Sequence, residues 1–131
     1  MTTNSPDSWP QNAPNPAQDV LDRLMGQIRL RVEELPDNSY TTKLVRGGVA
    51  LMGAKVTEEA AEVVDAANNS KADDNQHLIY ESCDLLYHLF VLLGSRGVSL
   101  DDLRNELARR EGTSGIVEKL NRGQRAPTDE N

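Results

Sequence analysis

Several residue types are scarce in this sequence, and each shortage excludes something. Cys83 is the only cysteine among 131 residues, so an intramolecular disulfide is excluded and a reducing compartment is expected. Aromatic residues make up 4% of the chain, which predicts a thin core. Basic residues number 14 against 21 acidic ones, for a net charge of −7. This balance argues against nucleic acid as a partner, because a nucleic-acid surface needs a basic field.

Long apolar runs are also missing. No run approaches the roughly 20 apolar residues that a membrane-spanning helix needs. The first residues lack the basic patch and apolar stretch of a signal peptide. We therefore expect a cytoplasmic protein that has no membrane partner.

Both ends of the chain are polar and poor in aliphatic residues. Residues 1–16 hold four of the six prolines, and residues 121–131 read NRGQRAPTDEN. Such segments bury too little apolar surface to offset the entropy lost on ordering. We predict disordered tails over 1–16 and 121–131, and an all-α domain over 17–120.

The middle of the chain carries apolar residues at helical spacing. Helices are expected over 17–35, within SYTTKLVRGG, over 49–67, over 76–96 and over 99–110. Pro36 ends the first helix, and the Ser-x-x-Asp pattern at Ser99 begins the last one. No stretch alternates polar and apolar residues for long enough to form a strand. The fold class is all-α, a bundle of four to five helices.

The stretch KVTEEAAEVVD at 55–65 combines a core-like composition with several acids. On a helical wheel Lys55, Glu59 and Glu62 lie within about 60° of one another, and Glu58 lies just outside this sector. An apolar sector lies beside them, made of Val56, Ala60, Val63, Val64 and Ala67. A solvated face explains some of these acids, whereas a metal site explains their spacing.

The predicted helix over 76–96 is apolar around most of its circumference. Helices of this kind are normally buried, yet Glu81, Asp84 and His88 share one narrow sector. Cys83 lies between the two acids without a neighbouring base, so we interpret it as a small core residue.

The acids of the two long helices also match in height. Helices joined by a short loop pack antiparallel, so residues equidistant from the loop centre lie level. For a symmetric loop over 68–75 the level pairs are Glu62 with Glu81, Glu59 with Asp84, and Lys55 with His88. Four partly buried carboxylates in one place need a cation, and all-oxygen ligands favour Mg²⁺ or Mn²⁺.

The order Glu-Glu-x-x-Glu, spacer, Glu-x-x-Asp is met by Glu58, Glu59, Glu62, Glu81 and Asp84. It resembles the signature of the all-α nucleotide pyrophosphohydrolases of the MazG type. Within that group the segments SYTTKL, KVTEEAAEVV, DLLYHLFVLL and RGVSLDDL are most similar to the phosphoribosyl-ATP pyrophosphatases of histidine biosynthesis. The sequence departs from that family at Thr57, where glycine is common, and at Cys83, where alanine is common.

The resemblance implies hydrolysis of phosphoribosyl-ATP between its α- and β-phosphates, with Mg²⁺ as cofactor and Mn²⁺ as a possible substitute. The implied metal ligands are Glu59, Glu62, Glu81 and Asp84. The implied catalytic acids are Glu58, Glu59 and Glu62, with Glu58 either a further ligand or the base that orients water. The family also implies a homodimer, which would complete the bundle by covering the apolar surface of the 76–96 helix.

Substrate contacts are expected from a wider set of residues. Lys55 either contacts a phosphate or pairs with Glu59. His88 either supports a ligand through a hydrogen bond or contacts the substrate. Weaker candidates for the ribose and outer phosphates lie in the short helix: Tyr40, Thr41, Lys43 and Arg46.

Two other functions fit the same sequence. A house-cleaning hydrolase of the same superfamily, acting on dUTP, dCTP or damaged nucleotides, would share every acid named above. A helical dimerisation module would carry the same acids as surface charge and would have no activity.

Overall fold

The computed structural model describes residues 20–71, 74–112, 119–120 and 122–123. Within them the chain forms five helices and no strand, which confirms the all-α class. The predicted N-terminal tail and most of the C-terminal tail lie outside these residues, so the tails and the 17–120 boundaries stay predictions. The helices are α1 (Val20–Glu34), α2 (Tyr40–Arg46), α3 (Gly48–Asn69), α4 (Gln76–Ser95) and α5 (Leu100–Arg110).

The ends of the helices follow the punctuation in the sequence. Pro36 disfavours a helical conformation at the residue before it, and Leu35 adopts a positive φ of 48°. α2 and α3 are separated by Gly47 alone, and α3 starts at Gly48, whose φ of 71° suits only glycine well. The predicted glycine stop is therefore also the start of the next helix.

Helices α1 to α4 belong to one compact unit that ends at Val98. α3 and α4 form the hairpin expected from the short loop, α1 packs on α4, and α2 contacts all three other helices. The core side chains come from all four helices: Met25, Ile28, Leu44, Met52, Ala66, Phe90 and Val91. This arrangement fixes one face of the hairpin against α1 and α2.

α5 belongs to a second unit that begins at Ser99. The Ser99 hydroxyl accepts a hydrogen bond from the Asp102 N–H at 3.1 Å, and the Asp102 carboxylate accepts one from the Ser99 N–H at 2.9 Å. Both halves of a capping box are thus present, as the Ser-x-x-Asp pattern predicts.

Two expectations about burial need correction. Val64 and Ala67 belong to the predicted apolar sector of α3, but both are exposed, Val64 by 59%, because the core-facing stripe runs through Met52, Glu59 and Ala66. Cys83 is exposed and does not pack in the core of the described chain. As expected, α4 exposes apolar side chains that α1, α2 and α3 do not cover.

α4 also corrects the expectation about apolar runs. By length and composition alone this helix could cross a membrane. However, it packs against α3 and α1, and it buries Glu81 and His88. Those properties are typical of the central helix of a bundle.

Candidate metal centre

Three carboxylates from two helices meet on the face of the α3–α4 hairpin. One ligand oxygen from each of Glu59, Glu62 and Glu81 lies within 4.8 Å of the other two. Glu59 and Glu62 are three residues apart on α3, so they share a helix face. Glu81 reaches them from α4, where the loop symmetry predicts it to be level with Glu62. We call these three residues the acidic trio.

Burial of two of its three members makes the acidic trio electrostatically costly without a cation. Glu59 is 9% exposed and Glu81 is 7% exposed. Burial raises the pKa of Glu59, and the nearby carboxylates of Glu62 and Asp84 raise it further. The pKa of Glu81 is also raised, first by burial and then by the neighbouring carboxyl group of Glu62. Both raised pKa values mean that negative charge is unfavourable here, so a nearby positive charge would be stabilising.

Two oxygens of the trio have no hydrogen-bond partner in the part of the chain that the structure describes. Among the described residues, Oε2 of Glu59 and Oε2 of Glu81 are buried and accept no hydrogen bond. A buried carboxylate oxygen without a donor costs free energy, and a hard divalent cation is the ligand that such oxygens favour. The donor set therefore fits Mg²⁺ or Mn²⁺, as the sequence predicts.

Asp84 borders the trio on α4, one turn after Glu81. Its charge raises the pKa of both Glu59 and Glu81, so it lies within electrostatic reach of them. Its own oxygens are not part of the group within 4.8 Å. The structure thus brings three of the four predicted ligands together and places the fourth beside them.

His88 is held between α4 and α2 next to Glu59. The residue is 7% exposed, and its Nδ1 lies 2.9 Å from the backbone oxygen of Asp84. Its Nε2 lies 3.1 Å from the hydroxyl of Tyr40, and Nδ1 is 4.0 Å from Oε1 of Glu59. Loop symmetry predicts that His88 lies level with Lys55, whereas in the structure its Nδ1 faces Glu59, and Lys55 pairs with Glu58.

Lys55 and Glu58 lie together outside the trio. The Lys55 ammonium donates to Oε2 of Glu58 at 3.2 Å, so its partner is Glu58, three residues on, and not Glu59. This hydrogen bond is the main cause that raises the pKa of Lys55. The Glu58 side chain is 52% exposed, which leaves it accessible to water and to a ligand.

The candidates from α2 fall into three environments. Thr41 is fully buried, and its hydroxyl shares a 2.8 Å hydrogen bond with the hydroxyl of Tyr87, so it has no surface for a ligand. Lys43 and Arg46 are exposed and form no hydrogen bond or ion pair with the described acids. Tyr40 is half-exposed and is the one that reaches the centre, through His88.

Two neighbours of the centre were not predicted. Nε2 of His77 lies 3.8 Å from Oε1 of Glu81, four residues later on α4. The ring of Tyr87 stacks on that of Tyr40, with centroids 6.2 Å apart. The spacing of four residues could have indicated His77. No local signal links Tyr87 to Tyr40, since they come from different helices.

Comparison with known proteins agrees with this geometry. The family model for phosphoribosyl-ATP pyrophosphohydrolase matches residues 21–111, which include every acid of the centre. The chain belongs to this family. Its members with curated names include the phosphoribosyl-ATP pyrophosphatase of Rhodopirellula baltica, 53% identical over 102 residues that cover 78% of this chain and 85% of the relative.

Two further members show how the family's domain is used. The phosphoribosyl-ATP pyrophosphatase of Trichlorobacter lovleyi is 48% identical over 108 residues, which cover 82% of this chain and 97% of the relative. A bifunctional histidine biosynthesis protein of Wolinella succinogenes is 43% identical over 103 residues, which cover 79% of this chain but only 44% of the relative. The pyrophosphohydrolase family thus occurs both alone and within a longer protein.

Proposed function

We propose that this chain hydrolyses phosphoribosyl-ATP to phosphoribosyl-AMP and pyrophosphate, the second step of histidine biosynthesis. Water supplies the new oxygen on the α-phosphorus, and the bond to the bridging oxygen of the β-phosphate breaks. The observation that carries this proposal is the acidic trio with its two unpartnered oxygens, within a chain of the phosphoribosyl-ATP pyrophosphohydrolase family.

The trio would hold the cofactor. Glu59, Glu62 and Glu81 would bind Mg²⁺, or Mn²⁺ in its place, with Asp84 as the fourth acid beside them. When bound, such an ion neutralises phosphate oxygens and lowers the pKa of a coordinated water molecule. The fixed positions of Glu59 and Glu81 orient the reacting groups, because both side chains are buried and can move little.

Lys55 and Glu58 lie outside the trio and are accessible, so they can contact substrate and water. Glu58 is exposed and already paired with Lys55, which favours its role as the group that orients water over a role as a central ligand. Lys55 can exchange that carboxylate for a phosphate oxygen at little cost, since exposed ion pairs contribute little to stability. Both remain next to Glu59 on α3.

We also propose that the protein is a cytoplasmic homodimer. The exposed apolar side chains of α3 and α4, among them Val64, Ile79 and Tyr80, offer a surface that a second copy would cover. Cys83, which is exposed on α4, is compatible with a reducing compartment.

The test is pyrophosphate release from phosphoribosyl-ATP, measured with and without Mg²⁺ and compared with release from dUTP and dCTP. We expect Mg²⁺-dependent release that is fastest with phosphoribosyl-ATP. Faster turnover of dUTP or dCTP would assign the chain to the house-cleaning hydrolases. No turnover of any nucleotide would support the non-catalytic dimerisation module.

Variants separate the acids of the centre from acids at the surface. Glu62→Gln and Asp84→Asn should abolish turnover while leaving the metal-free fold intact. Asp65→Asn is the matched control, because Asp65 is exposed on the same helix as Glu62 and is not part of the trio. Equal activity in all three variants would exclude the proposed centre.

A further inference from the structure

Three polar groups fix the ring of His88, and their chemistry determines where its proton lies. The backbone oxygen of Asp84 can only accept a hydrogen bond, so the 2.9 Å contact requires a hydrogen on Nδ1. The carboxylate of Glu59, 4.0 Å from the same nitrogen, favours a hydrogen there as well. An unprotonated Nδ1 would instead direct its lone pair at two acceptors.

The other ring nitrogen then has a defined role. In a neutral imidazole protonated on Nδ1, Nε2 is an acceptor. The Tyr40 hydroxyl, 3.1 Å away, is a donor that can reach it. The Tyr40 ring is itself fixed, because it stacks on Tyr87 at an interplanar angle of 15° and meets the His88 ring edge-on.

We propose that Tyr40 and His88 are positioning residues that hold Glu59 in place for the cation. Tyr40 donates to Nε2 of His88, which keeps the hydrogen on Nδ1, and this N–H end of the ring lies beside Oε1 of Glu59. Oε2 of Glu59, which has no partner among the described residues, is then left to bind the ion. This inference rests on the proposed function, since it assigns the support of the same centre.

The proposal changes the role that the sequence suggested for Tyr40. Its hydroxyl is engaged with His88, so it acts through the ring and not by contact with ribose or phosphate. Partners of this kind fix the orientation of a metal ligand, and their loss typically weakens metal binding about 10–100-fold.

The first measurement is the tautomer of His88 in metal-free protein, by long-range ¹H–¹⁵N correlation spectra of a histidine-labelled sample. The chain has two histidines, and His77 is largely exposed, so it serves as an internal reference. We expect the Nδ1–H pattern for His88. In Tyr40→Phe the pattern should shift toward a mixture of tautomers while His77 stays unchanged. An Nε2–H pattern or a doubly protonated ring in the wild-type protein would overturn the proposal.

The second measurement is Mn²⁺ affinity, from the electron paramagnetic resonance signal of the free ion. The amide N–H of asparagine can replace Nδ1–H, whereas that of glutamine replaces the Nε2 position. We therefore expect His88→Gln to weaken Mn²⁺ binding about 10–100-fold, and His88→Asn to retain most of the wild-type affinity. Equal losses in the two variants, or no loss in either, would overturn the proposal.

Tyr87→Phe is the control for a general disturbance of the aromatic cluster. It keeps the ring contacts and removes only the hydroxyl that binds Thr41. We expect unchanged Mn²⁺ affinity in Tyr87→Phe and weaker binding in Tyr40→Phe. Neither measurement uses a nucleotide. A wrong substrate assignment would therefore appear only in pyrophosphate release, and a wrong positioning role only in the tautomer and affinity data.

Discussion

At the scale of single residues, two adjacent threonines of α2 differ in whether their hydroxyl groups have a hydrogen-bond partner. Thr41 and Thr42 are both buried in α2, yet only the Thr41 hydroxyl has a partner, Tyr87. Oγ1 of Thr42 has none among the described residues. The paired hydroxyl of Thr41 therefore stabilises the folded protein, whereas the unpaired hydroxyl of Thr42 destabilises it.

We expect Thr42→Val to leave the free energy of unfolding unchanged or to raise it by up to about 1 kcal/mol, because it removes an unpaired hydroxyl without changing the shape. Thr41→Val is the matched variant and should lower it by about 1–3 kcal/mol, since it leaves the Tyr87 hydroxyl without its partner. Urea unfolding of both variants gives the comparison. Equal effects of the two changes would contradict the assigned partners.

Gly47 lets the end of α2 come close to the start of α3. A Cβ atom there would lie 2.6 Å from Cβ of Leu51, which no side-chain rotation can relieve. We expect Gly47→Ala to lower the free energy of unfolding by about 1–3 kcal/mol. Gly26→Ala in α1 is the control, because its Cβ meets no atom within 4 Å and alanine favours the helix. Denaturation midpoints of the two variants measure the difference, which would vanish if the close approach were absent.

At the scale of helices, the α3–α4 hairpin stores electrostatic repulsion that a cation relieves. The raised pKa values of Glu59 and Glu81 mean that the folded, metal-free protein holds their protons more tightly than the unfolded chain does. Stability from this source is present at low pH and falls as pH rises above the ordinary glutamate value of 4.5.

We therefore expect ionisation of Glu59 and Glu81 to lower the melting temperature of the metal-free protein as the pH rises above 4.5. Saturating Mg²⁺ should reduce this slope, because the bound ion favours the ionised acids. Glu106 does not contribute in this window, since its two arginine partners lower its pKa to about 2 and its effect is lost only between pH 4.5 and 2.

Calorimetry with EDTA and with Mg²⁺ provides the measurement. Glu81→Gln is the informative variant, as it removes one of the two raised groups and should flatten the metal-free slope. Identical slopes with EDTA and with Mg²⁺ in the wild-type protein would contradict a cation at the trio.

At the scale of the whole molecule, the described single chain leaves a large part of the hairpin uncovered. Ile79 and Tyr80 are 53% and 64% exposed on α4, and Val64 is similarly exposed on α3. Ile79 is level with Val64 by the same spacing that sets Glu81 beside Glu62. An exposed apolar surface of this kind is typical of an interface between chains.

We expect a dimer by light scattering at micromolar concentration, and a shift toward monomer in Ile79→Lys. Leu30→Lys is the control, because Leu30 is equally apolar and half-exposed but lies on α1. A monomeric wild-type protein would show that there is no such interface. A shift produced by Leu30→Lys and not by Ile79→Lys would place the interface elsewhere.

The sequence by itself determined the helices and most of the acid arrangement. Helical spacing, Pro36 and the capping pattern at Ser99 are local, so the bounds of α1 and α5 follow from short stretches of chain. The short loop makes the hairpin antiparallel, so Glu62 and Glu81 meet without knowledge of any other helix. The reaction was predicted from the resemblance of the acidic motif to the signature of the family.

Only the tertiary structure decided which of these side chains are buried and what supports them. The contact between Tyr40 and His88 joins residues 48 positions apart, and it depends on how α2 packs on the hairpin. The same packing buries Thr41 against Tyr87. Spacing along one helix fixes a direction around its axis, but the neighbour in that direction is chosen by the packing of the whole bundle.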